Sequence, residues 1–480
     1  MMAMSPPRTG RDEAAVLPHP RWRLPVVGDL FTMNVAKPTQ TSRRDARRLG
    51  PIFERRITNW PMIVVSGADL IAEINDEHHW TKHLGVPLRK LRRVARDGLF
   101  TARNDEPAWS AAHNILAPAF TQTAMRSYHQ TMAATIGELL DTWGDTHHIA
   151  DIAEEMNRLT LEIIARTGFG YSFDSFSYTP GQAHPFVEAM LRGLTYINRN
   201  ANLPPLLQNT LGRRAAGQHR RDIAFMHRTV DDVIAARRTS GTVGQHDDLL
   251  DRMLTTTDPD TGEHLDATNI RNQILTFLVA GHETSAGALA FALYELAKNP
   301  EVAARARAEV DDHFPGRDRP ITSYEDVAKL RYLRRVVDET LRLWPVAPGY
   351  FREARHEVTI GDGKYRFQQG DWVFVLTWYA HRDPETWGPD AERFDPDRWA
   401  PQRQRELDRR RVYRPFGVGH RACIGRQFAN HEVLLTLAHV LHQYEIHIDG
   451  DYTLDVAEQI TLKPAGLRVR VDRRTDLTTH

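Results

Sequence analysis

The chain has 480 residues, enough for two or three average domains or one unusually large one, with the 41% hydrophobic and 26% charged content of a globular protein. Lys+Arg and Asp+Glu stand at 62 each, so no global field points to nucleic acid or a membrane surface. A single cysteine excludes an intrachain disulfide and a Cys-rich zinc site, and fits a reducing cytoplasm.

The opening MMAMSPPRTGRDEAAVLPHP has no apolar run and mixes both charges. It reads as a flexible N-terminus over residues 1–16 rather than a signal peptide or membrane anchor. Strand-like alternation is confined to MIVVS (62–66), EVTIGDGKYRF (357–367) and DWVFVLT (371–377). Three- and four-residue apolar spacing predicts helices at 129–143, 151–168, 185–197, 220–238, 267–298, 300–313 and 327–343. RRTSGTVGQHDD (237–248) reads as a mobile connection. The runs ILTFLVAG and VLLTLAHVL fall short of the roughly 18 apolar residues that span a bilayer. One large, mainly α domain with small β-sheets, covering residues 1–480, is the simplest reading.

The longest pattern, 267–298, predicts a helix of about 48 Å that Asn299-Pro300 ends. Its middle, AGHETSAG, is unusual for a core helix, since Gly281 costs about 1 kcal/mol relative to Ala. Glu283 and Thr284 would also place a carboxyl and a hydroxyl among apolar groups. One reading is close helix packing at Gly281 with a solvated acid. The other is a local opening of the helix beside a cofactor, with acid and alcohol passing protons inward.

In DETLRLWP, Glu339 and Arg342 share one helical face, and the flanking leucines and tryptophan predict burial. The meander HRDPETWGPDAERFDPDRWAP supplies Arg398. One acid with two guanidinium forks makes a satisfiable buried network that locks a loop.

PFGVGHRACIG (415–425) holds the one cysteine, Cys423. Its G-x-G-x-x-A pattern is not a dinucleotide fingerprint, because RRRVYRPF rather than an apolar strand precedes it. Cys423 stands just before the apolar-periodic IGRQFANHEVLLTLAHVL, so helix dipole and Arg421 are expected to favour its thiolate. Such a thiolate is an axial iron ligand; the alternative is a buried inert cysteine.

These residues bring a family into view. Phe416, Gly419, Arg421, Cys423 and Gly425 resemble the F-x-x-G-x-R-x-C-x-G arrangement of the cytochromes P450, the haem-thiolate monooxygenases. AGHETS (280–285), ETLR (339–342) and FDPDRW (394–399) precede it in the family's order, and PHPRWRLPVVG (18–28) resembles its N-terminal segment. DGLFTARNDEPAWSAAHNILAPAF, NRLTLEIIARTGFGYSFDSF and ITLKPAGL are similar to the haem domain of bacterial self-sufficient fatty-acid hydroxylases.

The resemblance implies a cytochrome P450 fold around buried haem b, with Cys423 as the iron ligand and Phe416 packed beside it. Trp109 and His113 match the pair that holds the haem propionates; Lys82, Arg421 and Arg352 are further candidates, and Ala280 lies against the haem face. Thr284 and Glu283 would supply hydroxyl and proton relay for oxygen activation, and Glu339, Arg342 and Arg398 would be structural. Matching positions put Phe100, Leu88, Leu91, Val94, Ala347 and Ile460 around a hydrophobic substrate, with Phe100 limiting access to the iron.

At the channel mouth the related enzymes hold a carboxylate with a base and a tyrosine, where this chain has Trp60 and Val64; Arg55 or Arg56 could substitute. No reductase-like region follows residue 470, so electrons are expected from a separate ferredoxin or flavodoxin-type partner, docking on the basic cluster RRRVYR (409–414), Arg421 and Arg426. The implied activity is O2-dependent hydroxylation or epoxidation of a fatty acid or secondary metabolite. Peroxide-driven oxidation, desaturation or ring formation on the same fold is the alternative, and a non-catalytic haem sensor a remote one.

Overall fold

The computed structural model describes residues 16–475, apart from 58–59, 180, 202–212, 317–320, 322 and 411. The N-terminal stretch expected to be flexible, up to residue 15, lies outside the described residues. Five helices carry the interior: α1 (Gln122–Trp143), α2 (Ile152–Phe169), α3 (Ala267–Lys298), α4 (Arg331–Leu343) and α5 (Arg426–Gln443). Four small sheets accompany them among the described residues, the mainly α architecture that the sequence predicts.

Helix α3 crosses the core. Asp266 caps its start by accepting from the Asn269 amide at 2.7 Å, and Asn299 ends it ahead of Pro300. It is the one helix among the described residues long and apolar enough to cross a bilayer, which the short apolar runs in the sequence did not suggest; 83% of that window is buried inside the protein. Close approach to α2 explains Gly281: a Cβ there would meet Ile164 Cγ1 at 3.4 Å. Of the two readings of AGHETSAG, the local opening does not occur, and the helix runs unbroken through Gly281–Thr284. Two of its polar groups are satisfied locally, while one Glu283 oxygen and His282 Nε2 are buried without a partner. The Thr284 hydroxyl donates back to the Ala280 carbonyl at 2.7 Å, and the Thr160 hydroxyl of α2 donates to the His282 carbonyl at 2.9 Å.

Several predicted boundaries shift. Thr121 caps α1, so that helix starts before residue 129, and the predicted helix at 220–238 begins at Arg213. The segment 327–343 divides into a single turn, Tyr324–Val327, and α4. The connection at 237–248 is not a loose linker. Arg237 ends a helix and pairs with Asp248 at 2.7 Å and Asp251 at 2.6 Å, while the Gly244 and His246 amides donate to Asp251.

The main sheet has the strands β1 (Ile52–Ile57), β2 (Trp60–Val65), β3 (Trp80–Lys82), β4 (Tyr350–Ala354) and β5 (Trp372–Val375) in the order β1-β2-β5-β4-β3. The predicted strand at 357–367 is a hairpin, Val358–Ile360 with Tyr365–Phe367, whose turn residues Gly361, Asp362 and Gly363 all have positive φ. Lys82 on β3 lies directly opposite Arg352 on β4, which places both side chains on one face of the sheet.

Candidate active site

A cavity of about 780 Å³ lies between α3, α5 and the main sheet, with Cys423 in its wall. The backbone builds the cysteine's seat. The Cys423 amide donates to the Phe416 carbonyl at 2.9 Å, closing a loop in which Gly417 and Gly419 take positive φ. The sulfur is exposed toward the cavity, yet burial pushes its thiol pKa up. The Gly425 amide and the Arg426 charge pull the other way without prevailing, so the expectation of a thiolate favoured by dipole and Arg421 is not met by the protein alone. A cation at the sulfur is what would hold it deprotonated.

Opposite Cys423, Ala280, Glu283 and Thr284 of α3 line the cavity. Glu283 is 7% exposed; one oxygen accepts from the Thr461 hydroxyl at 3.3 Å and the other is buried without a partner.

Along one edge, Trp109 and His113 stack at 4.8 Å, with the Arg421 guanidinium 4.1 Å over the Trp109 ring. One terminal nitrogen of Arg421 donates to the carbonyls of Ala102 and Arg103, while the other is buried without a partner. Burial, reinforced by Arg421 and Arg92, pushes Lys82 down to about 7. Its ammonium donates to the Phe100 carbonyl at 2.6 Å. Arg352 is 3% exposed and reaches the carbonyls of Ile74 and Trp80 at 3.3 and 3.4 Å. These uncompensated cations, with an orphaned guanidinium nitrogen beside an indole, suit an anionic planar group, and the residues present therefore fit a haem with its carboxylates.

Phe100, Leu88, Leu91, Ala347 and Ile460 line the apolar part, as do Phe416 and Gly425 near the sulfur. Val94 does not line it; the residue is 3% exposed within the core, where its carbonyl accepts from His227 at 2.9 Å. At the mouth Trp60 lines the cavity, but Val64 is fully buried behind it among Phe53 and Phe374. Neither arginine takes the anchor position: Arg55 is fully buried and ion-paired with Asp45, and Arg56 lies by Glu54 at 3.5 Å. Glu458 lines this region instead, its carboxylate accepting from the Thr39 and Gln40 amides.

The basic cluster near the cysteine also resolves differently. Arg421 and Arg414 turn into the cavity wall, and the side chains of 409–411 lie outside the described residues. Glu339, Arg342 and Arg398 are all fully buried. Glu339 accepts from Arg342 at 2.7 and 2.8 Å and from Arg398 at 3.4 Å, while the Trp399 indole and the Asp395 amide complete its shell.

The wall also contains residues the sequence did not mark. His83 stacks on Trp372 at 5.0 Å, and burial pushes it down to about 4. Phe351, Phe374 and Met62 join it by way of strand register, and no local motif announces them.

A helical core with one cysteine on a glycine-rich loop, facing an apolar cavity under an Ala-Gly-His-Glu-Thr helix, defines a haem-thiolate protein. The chain matches the cytochrome P450 family over residues 18–471 and belongs to it. Haem b is the cofactor of that family. A bifunctional cytochrome P450/NADPH–P450 reductase of Bacillus cereus is 40% identical over 474 residues, 98% of this chain and 43% of the relative. A self-sufficient cytochrome P450 monooxygenase of Phanerodontia chrysosporium, CYP505E3, is 37% identical over 446 residues, 92% of this chain and 41% of that one. The chain thus spans less than half the length of these relatives. The crystal structure of a cytochrome P450, CYP102L1, superimposes with a TM-score of 0.86 at 50% identity, covering 92% of this chain and 99% of the other.

Proposed function

We propose that this chain carries the oxygen-activating centre of a monooxygenase acting on a hydrophobic small molecule. The observation that carries it is a single cavity bringing Cys423, the Glu283–Thr284 pair and an apolar wall together. Haem bound there would supply O2 reduction by two electrons with insertion of one oxygen atom into substrate. Cys423 would be the iron ligand. Trp109, His113, Lys82, Arg421 and Arg352 would hold the cofactor's carboxylates, and Phe416 would shield the sulfur. Thr284 and Glu283 would deliver protons into the cavity, with Thr461 orienting the acid. Electrons come from a ferredoxin or flavodoxin-type donor, in the reducing cytoplasm where a lone thiol survives.

For substrate, the mouth favours a neutral molecule. Trp60 and a capped carboxylate, Glu458, stand where a fatty-acid enzyme would need a base, and Arg55 is committed to Asp45. Leu88, Leu91, Phe100, Ala347 and Ile460 then select by shape. Titrating the ferric holoprotein with fatty acids and with carboxylate-free terpenoids and polyketides, followed by the spin-state absorbance change, tests both parts. Tight responses to bulky neutral ligands with silence toward fatty acids are expected. A reduced, carbon-monoxide-bound spectrum without the red shift of thiolate ligation overturns the whole reading.

A further inference from the structure

The turn at residues 75–79, between the helix Ala68–Ile74 and β3, reaches the cysteine loop from outside the cavity. Both carboxylate oxygens of Glu77 lie 3.0 Å from the His420 amide, in the 3-10 turn Gly419–Arg421 two residues before Cys423. The fit is close. Gly419 takes φ +67, and a Cβ on it would fall 2.1 Å from the Glu77 carboxyl carbon.

The far end of the turn is fixed to the sheet. Arg352 donates to the carbonyls of Ile74 and Trp80 on either side of it, and the Tyr350 hydroxyl donates to the Asn75 side chain at 2.7 Å. On the inner side, the His420 ring packs edge-on to Trp109 at 4.7 Å and tilted against His113 at 5.4 Å. We infer that Glu77 is a positioning residue for the iron ligand: its carboxylate clamps the His420 amide and ties the Gly419–Cys423 segment to the sheet that presents Lys82 and Arg352.

The carboxylate has two separable effects. As a charged acceptor it holds a backbone amide more firmly than a neutral group does, which limits the excursions of the loop that carries Cys423. As a fixed negative charge against the loop that carries Cys423, it would disfavour the added electron of the reduced cofactor. This inference rests on the haem-thiolate reading, and the wild-type carbon-monoxide spectrum checks that reading separately.

The test compares Glu77→Ala and Glu77→Gln with wild type, all as holoprotein. Loss of the thiolate-type carbon-monoxide band is timed in mild denaturant, far-UV circular dichroism reports global unfolding, and the reduction potential is measured. Glu77→Ala is expected to lose the band at least about tenfold faster, the low end for one charge-assisted hydrogen bond, with an unchanged unfolding midpoint and a more positive potential. Glu77→Gln, which keeps one acceptor oxygen but no charge, is expected to restore most of the band's lifetime and keep the raised potential. Band lifetimes equal to wild type in Glu77→Ala overturn the proposal, as does band loss that only tracks global unfolding. If Glu77→Ala does not incorporate haem, Glu77→Gln with hydrogen exchange at the His420 amide decides: faster exchange than wild type supports the clamp and equal exchange overturns it.

Discussion

Thr461 donates its hydroxyl to the buried carboxylate of Glu283 at 3.3 Å, joining the bend just before the strand Leu462–Pro464 to the middle of α3. The second Glu283 oxygen is left without a partner at the cavity wall, beside Thr284, whose hydroxyl is turned back on Ala280. A carboxyl held on one side and free on the other can swing a proton toward the cavity. The threonine need only release a helical carbonyl to accept it.

Thr284→Ala is therefore expected to leave substrate binding intact while reducing equivalents are consumed with less product. Glu283→Gln is expected to slow turnover as well. The ratio of product formed to electrons consumed is the measurement, and an unchanged ratio in Thr284→Ala would remove the proton-delivery role.

The buried network of Glu339, Arg342 and Arg398 makes a stability prediction. Arg342 satisfies both Glu339 oxygens and also donates to the carbonyls of His381, Ala391 and Arg393, so it ties α4 to the meander before the cysteine loop. Arg342→Leu leaves the fully buried Glu339 with Arg398 at 3.4 Å as its remaining cation, and strands several carbonyls. Breaking a buried pair from one side costs about 3–5 kcal/mol, and urea unfolding of the holoprotein should read a loss of that size. A loss under about 1 kcal/mol would instead mark an ordinary surface pair.

The contrast between this triad and the channel mouth explains what the sequence made legible. Glu339 and Arg342 lie one helical turn apart, and Phe416 to Gly425 form one loop, so short-range spacing carries their geometry. Val64 and Arg55 depend on strand register instead. Phe53 pairs with Val64 and Arg55 with Met62, and the helix Pro38–Leu49 covers that face and brings Asp45 to the arginine. Which member of β2 reaches the mouth is settled by tertiary packing, and here only Trp60 and Met62 do. Val94 misled for a related reason: on a ten-residue helix the core side and the cavity side are less than a turn apart. The sequence predicts α3 over its whole length, but not the Thr160 hydroxyl from another helix that donates to the His282 carbonyl.

Buried titratable groups on and around α5 set a pH window for stability. Glu432 is fully buried, and burial pushes it up to about 8, with the Ser285 hydroxyl opposing only in part; neither oxygen reaches hydrogen-bond geometry. A carboxyl whose folded pKa is raised stabilises fully below its ordinary 4.5 and loses that contribution as pH climbs through about 8. His381, His431 and His439 are pushed down to about 3 by burial, so their contribution is complete above 6.5 and is lost as pH falls toward about 3. Denaturant unfolding across pH should rise on the acid side and fall toward pH 8. Glu432→Gln is expected to flatten the alkaline limb alone, and an alkaline slope identical to wild type would assign that limb to other groups.

Trp60 offers a gain-of-binding test of the mouth. It stands opposite Ile57 on the hairpin and lines the cavity near Glu458, while the nearest arginine in sequence on that face, Arg55, is held by Asp45. Trp60→Arg would supply the missing cation at a partly exposed position, where a carboxylate pair is worth about 0.2–1 kcal/mol. Fatty-acid binding, read from the spin-state titration, should then tighten by up to about fivefold, while neutral ligands weaken through lost indole contact. Equal tightening for neutral and acidic ligands would show that Trp60 merely obstructs the channel, and the preference for uncharged substrates would have to be sought deeper, at Phe100 and Leu88.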